Sequence, residues 1–342
     1  MKSGKNYAAW DIIENNFPAD GSSEDKIAFF VQYGILAPST HNIQPWKFQI
    51  EDNVLKIFPH QKYSLPQSDP TKRGLFVSLG ACTTNIIVAA THFMYNVTVQ
   101  YGGTNEKNFV ITMKFNKTSK KETQLSALFP SLVKRYSNKL AYSPQKIERN
   151  IIEDLERLSV GDAHVKIVDD SEKVAHIALL HKKALFELMT PSVFRAEIAQ
   201  WLRYNNTKSY DGMPGFVVGL PTFLSLLVKR LFSLLSPLPQ KMAQSDFKLI
   251  KNSPAVGVIV TKKSEISSYV DVGRVYELLA LYATENLLNT TPMAAVIENK
   301  QYTPLVADLF RVENKSLQFF FRLGYSNTSP YHTPRIPLDR LL

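Results

Sequence analysis

The chain has 342 residues, enough for two domains or one large one with ample core. Its apolar fraction of 44% and charged fraction of 20% are those of an ordinary globular protein, and its single cysteine, Cys82, excludes an internal disulfide or a cysteine-rich zinc site. The net charge of +10 is spread along the chain rather than gathered on one element beside aromatics; this speaks against nucleic acid but suits an anionic ligand.

The first residues, MKSGKNYAAWDIIENNF, lack the apolar run and small-residue cleavage site of a signal peptide. No stretch reads as an uncharged membrane span, so the expected location is cytoplasmic, with a membrane not expected as a partner outside the stretch 216–235. A helix is predicted over 22–36, capped by Ser22 or Ser23. The turn 37–46 follows, then two short strands within 47–58 around Glu51-Asp52-Asn53. Residues 61–72 read as loop, with Asp69 placed to cap the long apolar helix 73–94. Strands are predicted at 97–101 and 107–115. A thicker basic patch at Lys107 to Lys121 reads as strand, turn and solvated loop.

Composition turns polar over 116–130. The boundary between two halves is therefore set there, giving 1–125 and 126–342. The second half reads as helices 126–136 and 145–158, strand 163–168, and helices 171–189 and 192–204. After an apolar stretch at 216–235 come strand 255–261, helix 270–289, strand 293–297, helix 303–313 and strand 316–324. Alternating helices and strands predict sheets covered by helices, an α+β chain of three-layer α/β/α type around mixed sheets. Arg73 to Asn85 (RGLFVSLGACTTN) and Arg274 to Asn286 (RVYELLALYATEN) share the spacing of Arg, Thr and Asn. Each leads into a strand, which suggests a degenerate tandem repeat with the two asparagines packing helices.

The seven histidines form no metal pair, and no glycine-rich phosphate loop or GxSxG elbow occurs. The informative stretch is 37–46, APSTHNIQPW. Ser39, Thr40, Asn42 and Gln44 offer donors and acceptors within six residues, and Pro38 and Pro45 stiffen the backbone that presents them. Such a turn suits a flat heterocycle with polar edges. It also fits a proline-framed loop closed on itself.

PSTHNIQPW closely resembles the PSxxNxQPW turn of the FMN-dependent nitroreductase superfamily. Arg135-Tyr136-Ser137-Asn138-Lys139 is similar to the family's R-x-S-x-K/R phosphate motif, whose cations and hydroxyl suit a dianion. Pro292-Met293-Ala294-Ala295 resembles the segment facing flavin N5, and His332 to Pro337 the basic-residue-before-proline element near the C-terminus. The ring turn lies in the first half and the other elements in the second, as in a dimer fused into one chain. Stretches 68–90, 197–215, 273–298 and 321–342 resemble the Acg-type single-chain members, so the likeness spans most of 25–342. Two departures stand out. PSxxNxQPW occurs once, implying one FMN per chain, and Met293-Ala294-Ala295 lacks the family's usual glutamate-glycine pair.

The resemblance implies a nitroreductase fold of two degenerate repeats. Pro38 would pack on the flavin ring, with Ser39, Thr40 and Asn42 bonding its edge. Arg135, Ser137, Lys139 and Arg335 would hold the phosphate, and a backbone N–H at Met293 or Ala294, after Pro292, would face N5. Gln44 and Trp46 would brace the turn. It implies hydride transfer through FMN to a small nitroaromatic or quinone, with NADH or NADPH as reductant, in a chain able to work as a monomer. FMN storage behind a cover and a flavin-free scaffold stay open as rivals. For 216–235, with a cover spanning 211–245, a buried core helix, a lid over the flavin and a membrane-surface helix all remain open. The expectation set is a helix beside or over the flavin.

Overall fold

The computed structural model describes residues 4–60, 63–120, 122–232, 235, 237–313, 317–326 and 331–342, with backbone alone at 228–231. Helix α1 (Ser23–Gly34) starts at a capping box: Ser22 Oγ accepts from the Asp25 N–H and the Asp25 carboxylate accepts from the Ser22 N–H. Strands β1 (Trp46–Glu51) and β2 (Val54–Pro59) form a hairpin. Helix α2 (Arg73–His92) leads into β3 (Tyr95–Gly102) and β4 (Val110–Lys117). These four strands make an antiparallel sheet in the order β1-β2-β4-β3. Its apolar face, with Leu55, Ile57, Ile111 and Met113, packs in one core with residues of α1 and α2.

The expected boundary at 125/126 falls inside the short helix α3 (Thr123–Ala127). The predicted helix 126–136 is not formed. Pro130 has no N–H to continue α3, and the chain passes through a 3-10 turn at Phe129–Ser131 to a parallel bridge between Ser137 and Thr290. Helix α4 (Arg149–Glu156) starts later than expected, followed by β5 (Ser159–Val160), β6 (Ala163–Val168), α5 (Ser171–Met189) and α6 (Ser192–Trp201). Strands β7 (Leu202–Arg203) and β8 (Met213–Pro214) pair parallel, and α7 (Thr222–Leu231), α8 (Leu238–Lys251), β9 (Ala255–Val260) and α9 (Ile266–Glu285) follow. The predicted strand 293–297 lies earlier, as β10 (Leu288–Pro292). The Met293 N–H makes a last bond to Phe320 O before the chain coils into α10 (Ala295–Glu298). Helix α11 (Thr303–Phe310) and β11 (Leu317–Tyr325) complete the elements.

The second sheet, β10-β11-β9-β6-β5, is antiparallel between all its named strands. One face packs on α4 and α9, the other on α5, α10 and α11, so the fold is α+β with a helix–sheet–helix sandwich in this half. Parallel pairing is confined, among the described residues, to β7 with β8 and the Ser137–Thr290 bridge. The C-terminal segment returns to the first half: Ile336 and Leu341 join its core and Leu341 O accepts from the Phe48 N–H.

The halves meet where α2 crosses α9. A Cβ on Gly80 would lie 2.0 Å from Val270 O, and one on Gly273 1.9 Å from Val77 O, so the backbones touch. Gly80 and Gly273 are 193 residues apart. So are the left-handed residues Met94 and Leu287 and the strand starts Tyr95 and Leu288. The sequence echo at a separation of 201 is thus out of step with the structure. Arg73 opens α2, whereas Arg274 stands eight residues beyond the first residue of α9. Helix α2 is also long and apolar enough to cross a membrane, against the sequence expectation, but 89% of that window is buried in the protein.

Replacing Gly80 or Gly273 with Ala is expected to destabilise the chain by about 1–3 kcal/mol or more, since backbone cannot yield as a side chain can. Gly102→Ala, whose Cβ would meet only the Val110 side chain below 4 Å, should cost less. Urea unfolding midpoints of the three variants check this ordering.

Candidate functional site

The turn after α1 is wound tightly. His41, Asn42 and Gln44 all have positive φ (52°, 58° and 53°), which side-chain-bearing residues adopt only when their surroundings hold them. Those surroundings are specific. Asn42 Nδ2 donates to Gly212 O and Pro334 O, and its Oδ1 accepts from Arg335. Gln44 Nε2 donates to Tyr210 O at 2.8 Å, and its Oε1 accepts from the Ile336 N–H at 2.8 Å. The Gly212 N–H donates to Asn42 O. The turn is thereby clamped between 210–213 and 334–336. Asn42 is buried with both amide hydrogens donated and its Oδ1 accepting from Arg335, so it has no donor left for the ring edge it was expected to bond. It braces the turn, as Gln44 does, while Trp46 is wholly buried in the core behind it.

Arg135 and Arg335, expected to hold a phosphate, are also committed elsewhere. Both are 3% exposed. Arg135 Nη2 donates to Leu36 O, and Arg335 Nη2 to Leu36 O and Ala37 O, the carbonyls that follow the C-terminus of α1. That is where a helix end favours cations. Arg335 Nη1 donates to Asn42 Oδ1, Thr333 Oγ1 and Pro334 O. Its guanidinium lies 4.8 Å over the Trp10 ring, which stacks on His332 at 3.8 Å. The counter-charge is Glu277 of α9, fully buried, with Oε1 2.9 Å from Arg135 Nε. Burial pushes the Glu277 carboxyl up to about 7 against the pull of both arginines. The sequence signal for it was an acid inside the apolar run VYELLALY, and it went unread.

Three pieces of the expected site remain open. Pro38, Ser39 and Thr40 are half-buried. Ser39 Oγ accepts from the Gln44 N–H, keeping its own proton to donate, and Thr40 Oγ1 lies against Gly74 at the start of α2. Ser137 sits beside Thr290 of β10, and its hydroxyl has no hydrogen bond among the described residues. Lys139 has no carboxylate within ion-pair distance among the described residues, and its Nζ lies 3.5 Å from Met213 Sδ. Burial lowers its pKa, partly offset by Asp246. The His41 Nε2 is buried without a partner, and burial, then Lys139, bring that imidazole down to about 3. Beyond Ser137 the same β10 runs to Pro292. The Met293 N–H is used by Phe320 O, so of the two expected donors only exposed Ala294 is available. Glu298, in the same short helix, pairs with Arg73 at 2.6 Å, bringing α10 to the start of α2 beside Thr40. Asp69 caps that start by accepting from the Gly74 and Leu75 N–H groups.

A cleft of about 270 Å³ lies on the reverse side of the turn, lined by His60, Tyr63, Tyr210, Ile336 and Arg340. It does not touch Pro38–Thr40, Lys139 or Ala294. Among the described residues there is no cluster of three metal-ligating side chains. The described part of the apolar stretch 216–235 is not a core helix: Phe223, Leu224, Leu226 and Leu227 of α7 are exposed, and the rest of the expected helix lies largely outside the described residues. The segment before it lies against the site, with Met213 on Lys139 and Gly219 beside Leu140.

No family model matches the chain. Over 322 residues, 90% of this chain and 89% of theirs, it is 22% identical to two Mycobacterium tuberculosis proteins of unassigned function, Rv3127 of strain H37Rv and MT3212 of strain CDC 1551. Among solved structures it is similar to the FMN and NADPH-dependent nitroreductase NfnB from sphigopyxis sp. strain HMH, with 15% identity, 63% of this chain and 97% of that one covered, and a TM-score of 0.42. It is also similar to a nitroreductase with bound FMN from Desulfitobacterium hafniense, with 12% identity, 64% and 97% covered, and a TM-score of 0.38. Identities of this size and TM-scores below 0.5 do not assign this chain a chemistry.

Two outcomes follow from these charges. Glu277→Ala leaves the Arg135 guanidinium buried without its carboxylate and is expected to cost about 3–5 kcal/mol, read by urea unfolding. His41, and His332 with its Nδ1 buried, both stand near 3 in the folded chain, below the ordinary 6.5. Their contribution is present above pH 6.5 and is lost as pH falls from 6.5 towards 3, by at most about 1.4 kcal/mol per pH unit for each. His41→Asn, which tolerates the left-handed backbone, should flatten the fall of unfolding free energy between pH 6.5 and 5. An unchanged slope would show that His41 is protonated in the fold.

Proposed function

We propose that the chain is an FMN-dependent oxidoreductase of nitroreductase type, of the Acg-like single-chain kind, with one flavin at the seam of its halves. The observation that carries the reading is the turn 37–46. It has the PSxxNxQPW pattern and three side-chain-bearing residues of positive φ, and its clamps to 210–213 and 334–336 run through Asn42 and Gln44, which leaves Pro38, the Ser39 hydroxyl proton and Thr40 as its working face. A turn closed only for its own sake would not need that strain.

The residues present fit the ring and part of the phosphate. Pro38 would give the ring an apolar wall, and Ser39 and Thr40 would donate to its polar edge. Ser137 and Lys139 would hold the phosphate, in place of Arg135 and Arg335. Ala294 would offer its N–H towards N5. Bound FMN would supply hydride transfer at N5, taken from NADH or NADPH and passed to a small nitroaromatic or quinone that gains a proton from water. No acid–base pair of the protein is needed for that chemistry. One chain carries both sides of the site, so a monomer would suffice.

The test is titration of the apoprotein with FMN, followed by flavin fluorescence. Lys139→Ala and Ser137→Ala are each expected to weaken binding about tenfold to a hundredfold, the loss of one charge-assisted bond. Light scattering should show flavin on a species of 38.7 kDa. A protein that binds no FMN overturns the reading. One that binds it but is not bleached anaerobically by NADH or NADPH stores flavin instead.

A further inference from the structure

We infer that α7 is a membrane-surface helix that docks this protein on a bilayer of anionic lipid. The helix faces the wrong way for a water-soluble protein. Among its described side chains the one turned inward is Ser225, 2% exposed, whose Oγ accepts from the Asn205 N–H and donates to Thr222 O. Its apolar residues point out: Phe223 is 69% exposed and Leu226 63%, with Leu224 and Leu227 also exposed. Val218, in the turn before it, extends the patch, and Phe216 meets the exposed ring of Tyr331 edge-on at 5.5 Å. Soluble proteins rarely leave so many large apolar side chains side by side, and where they do the patch meets something.

The patch is presented firmly. Asn205 Nδ2 donates to Leu220 O and its Oδ1 accepts from the Phe216 N–H, so both ends of the lead-in turn are tied to the body of the chain. It is not a stray loop end but a short helix fixed on a scaffold, the arrangement by which an interfacial helix sinks one face among acyl chains.

Charge selects the occupant. Between Gly212 and Ser245 there is no Asp or Glu, while Lys229, Arg230 and Lys241 all fall within those bounds, in a chain of net charge +10. Two copies meeting through this segment would set one acid-free basic stretch against another, a repulsive pairing. Anionic headgroups would neutralise them, each cation adding to the attraction of the buried apolar face. Aromatic Phe223, Phe216 and Tyr331 suit the headgroup boundary.

The experiment is flotation of the full chain with vesicles of phosphatidylcholine alone and of equal parts phosphatidylcholine and phosphatidylglycerol. The expected result is binding to the mixed vesicles, at least tenfold weaker to the neutral ones, and reduced in high salt. Phe223→Glu/Leu226→Glu, at exposed positions, should keep the parent's thermal midpoint and lose binding at least tenfold. Lys229→Gln/Arg230→Gln, which keeps Phe223, Leu224, Leu226 and Leu227, should abolish the preference for phosphatidylglycerol. Three results would overturn the proposal: no binding of the parent to either vesicle, equal binding of parent and Phe223→Glu/Leu226→Glu, or a parent dimer in light scattering that the same variant breaks. A rise in flavin access in that variant without vesicle binding by the parent would assign α7 to a cover over the site instead.

Discussion

Two guanidinium groups at the C-terminal end of α1 hold this molecule together at its centre. Arg135 opens the second half, Arg335 belongs to the returning tail, and Leu36 and Ala37 lead into the turn of the first half. Three separate stretches of chain therefore converge on two carbonyls, with Glu277 of α9 as the buried counter-charge. Burying such charges is unfavourable unless every partner is in place. Here the partners come from different elements, so the assembly forms only when the halves are docked. The strained turn can then persist, because Asn42 and Arg335 fix each other.

The crossing of α2 and α9 makes this possible. Glycine at 80 and 273 lets the helix backbones touch, which brings Glu277 of α9 to the side of α2 that carries Cys82 and Asn85. Bulkier residues at the crossing would push α9 away and lengthen the Glu277–Arg135 pair. Packing at the seam and electrostatics at the turn are one constraint.

Much of this was legible in the sequence where physical signals were local. The serine cap at the start of α1, the hairpin at Glu51-Asp52-Asn53, the cap at Asp69 and the strand 163–168 announce themselves through capping, turn and alternation. What failed was long-range. Nothing adjacent to Arg135 or Arg335 tells that their partners are the carbonyls of 36 and 37, so a phosphate role read equally well. Asn42 looked like a ring contact because its acceptors, Gly212 and Pro334, lie 170 and 292 residues away. The run 293–297 was too short to tell strand from helix, and Pro292 decided it by ending β10. The outward face of α7 was unreadable for a related reason: periodicity shows that a helix has an apolar stripe, not which way the stripe turns.

The balance of charge around the turn gives the site its direction. Arg135, Arg335, Lys139 and Arg322 are all wholly or largely withdrawn from water in this region, and Arg322 lies 4.1 Å over the Tyr142 ring with Nη2 on Asn138 O and Leu140 O. The acids facing them are Glu277, paired with Arg135, and Asp246, which raises Lys139 and lies 3.4 Å from His181. Backbone carbonyls absorb part of the surplus at Arg335 and Arg322. Lys139 has no such carbonyl or carboxylate, only a thioether, and its pKa is pulled down by burial as a result. A buried cation in that state gains from an arriving anion, because the attraction acts where water no longer screens it. On the proposed function, the phosphate of a flavin whose ring lay on Pro38–Thr40 would meet that need at Lys139. The two arginines already donate to the carbonyls of Leu36 and Ala37.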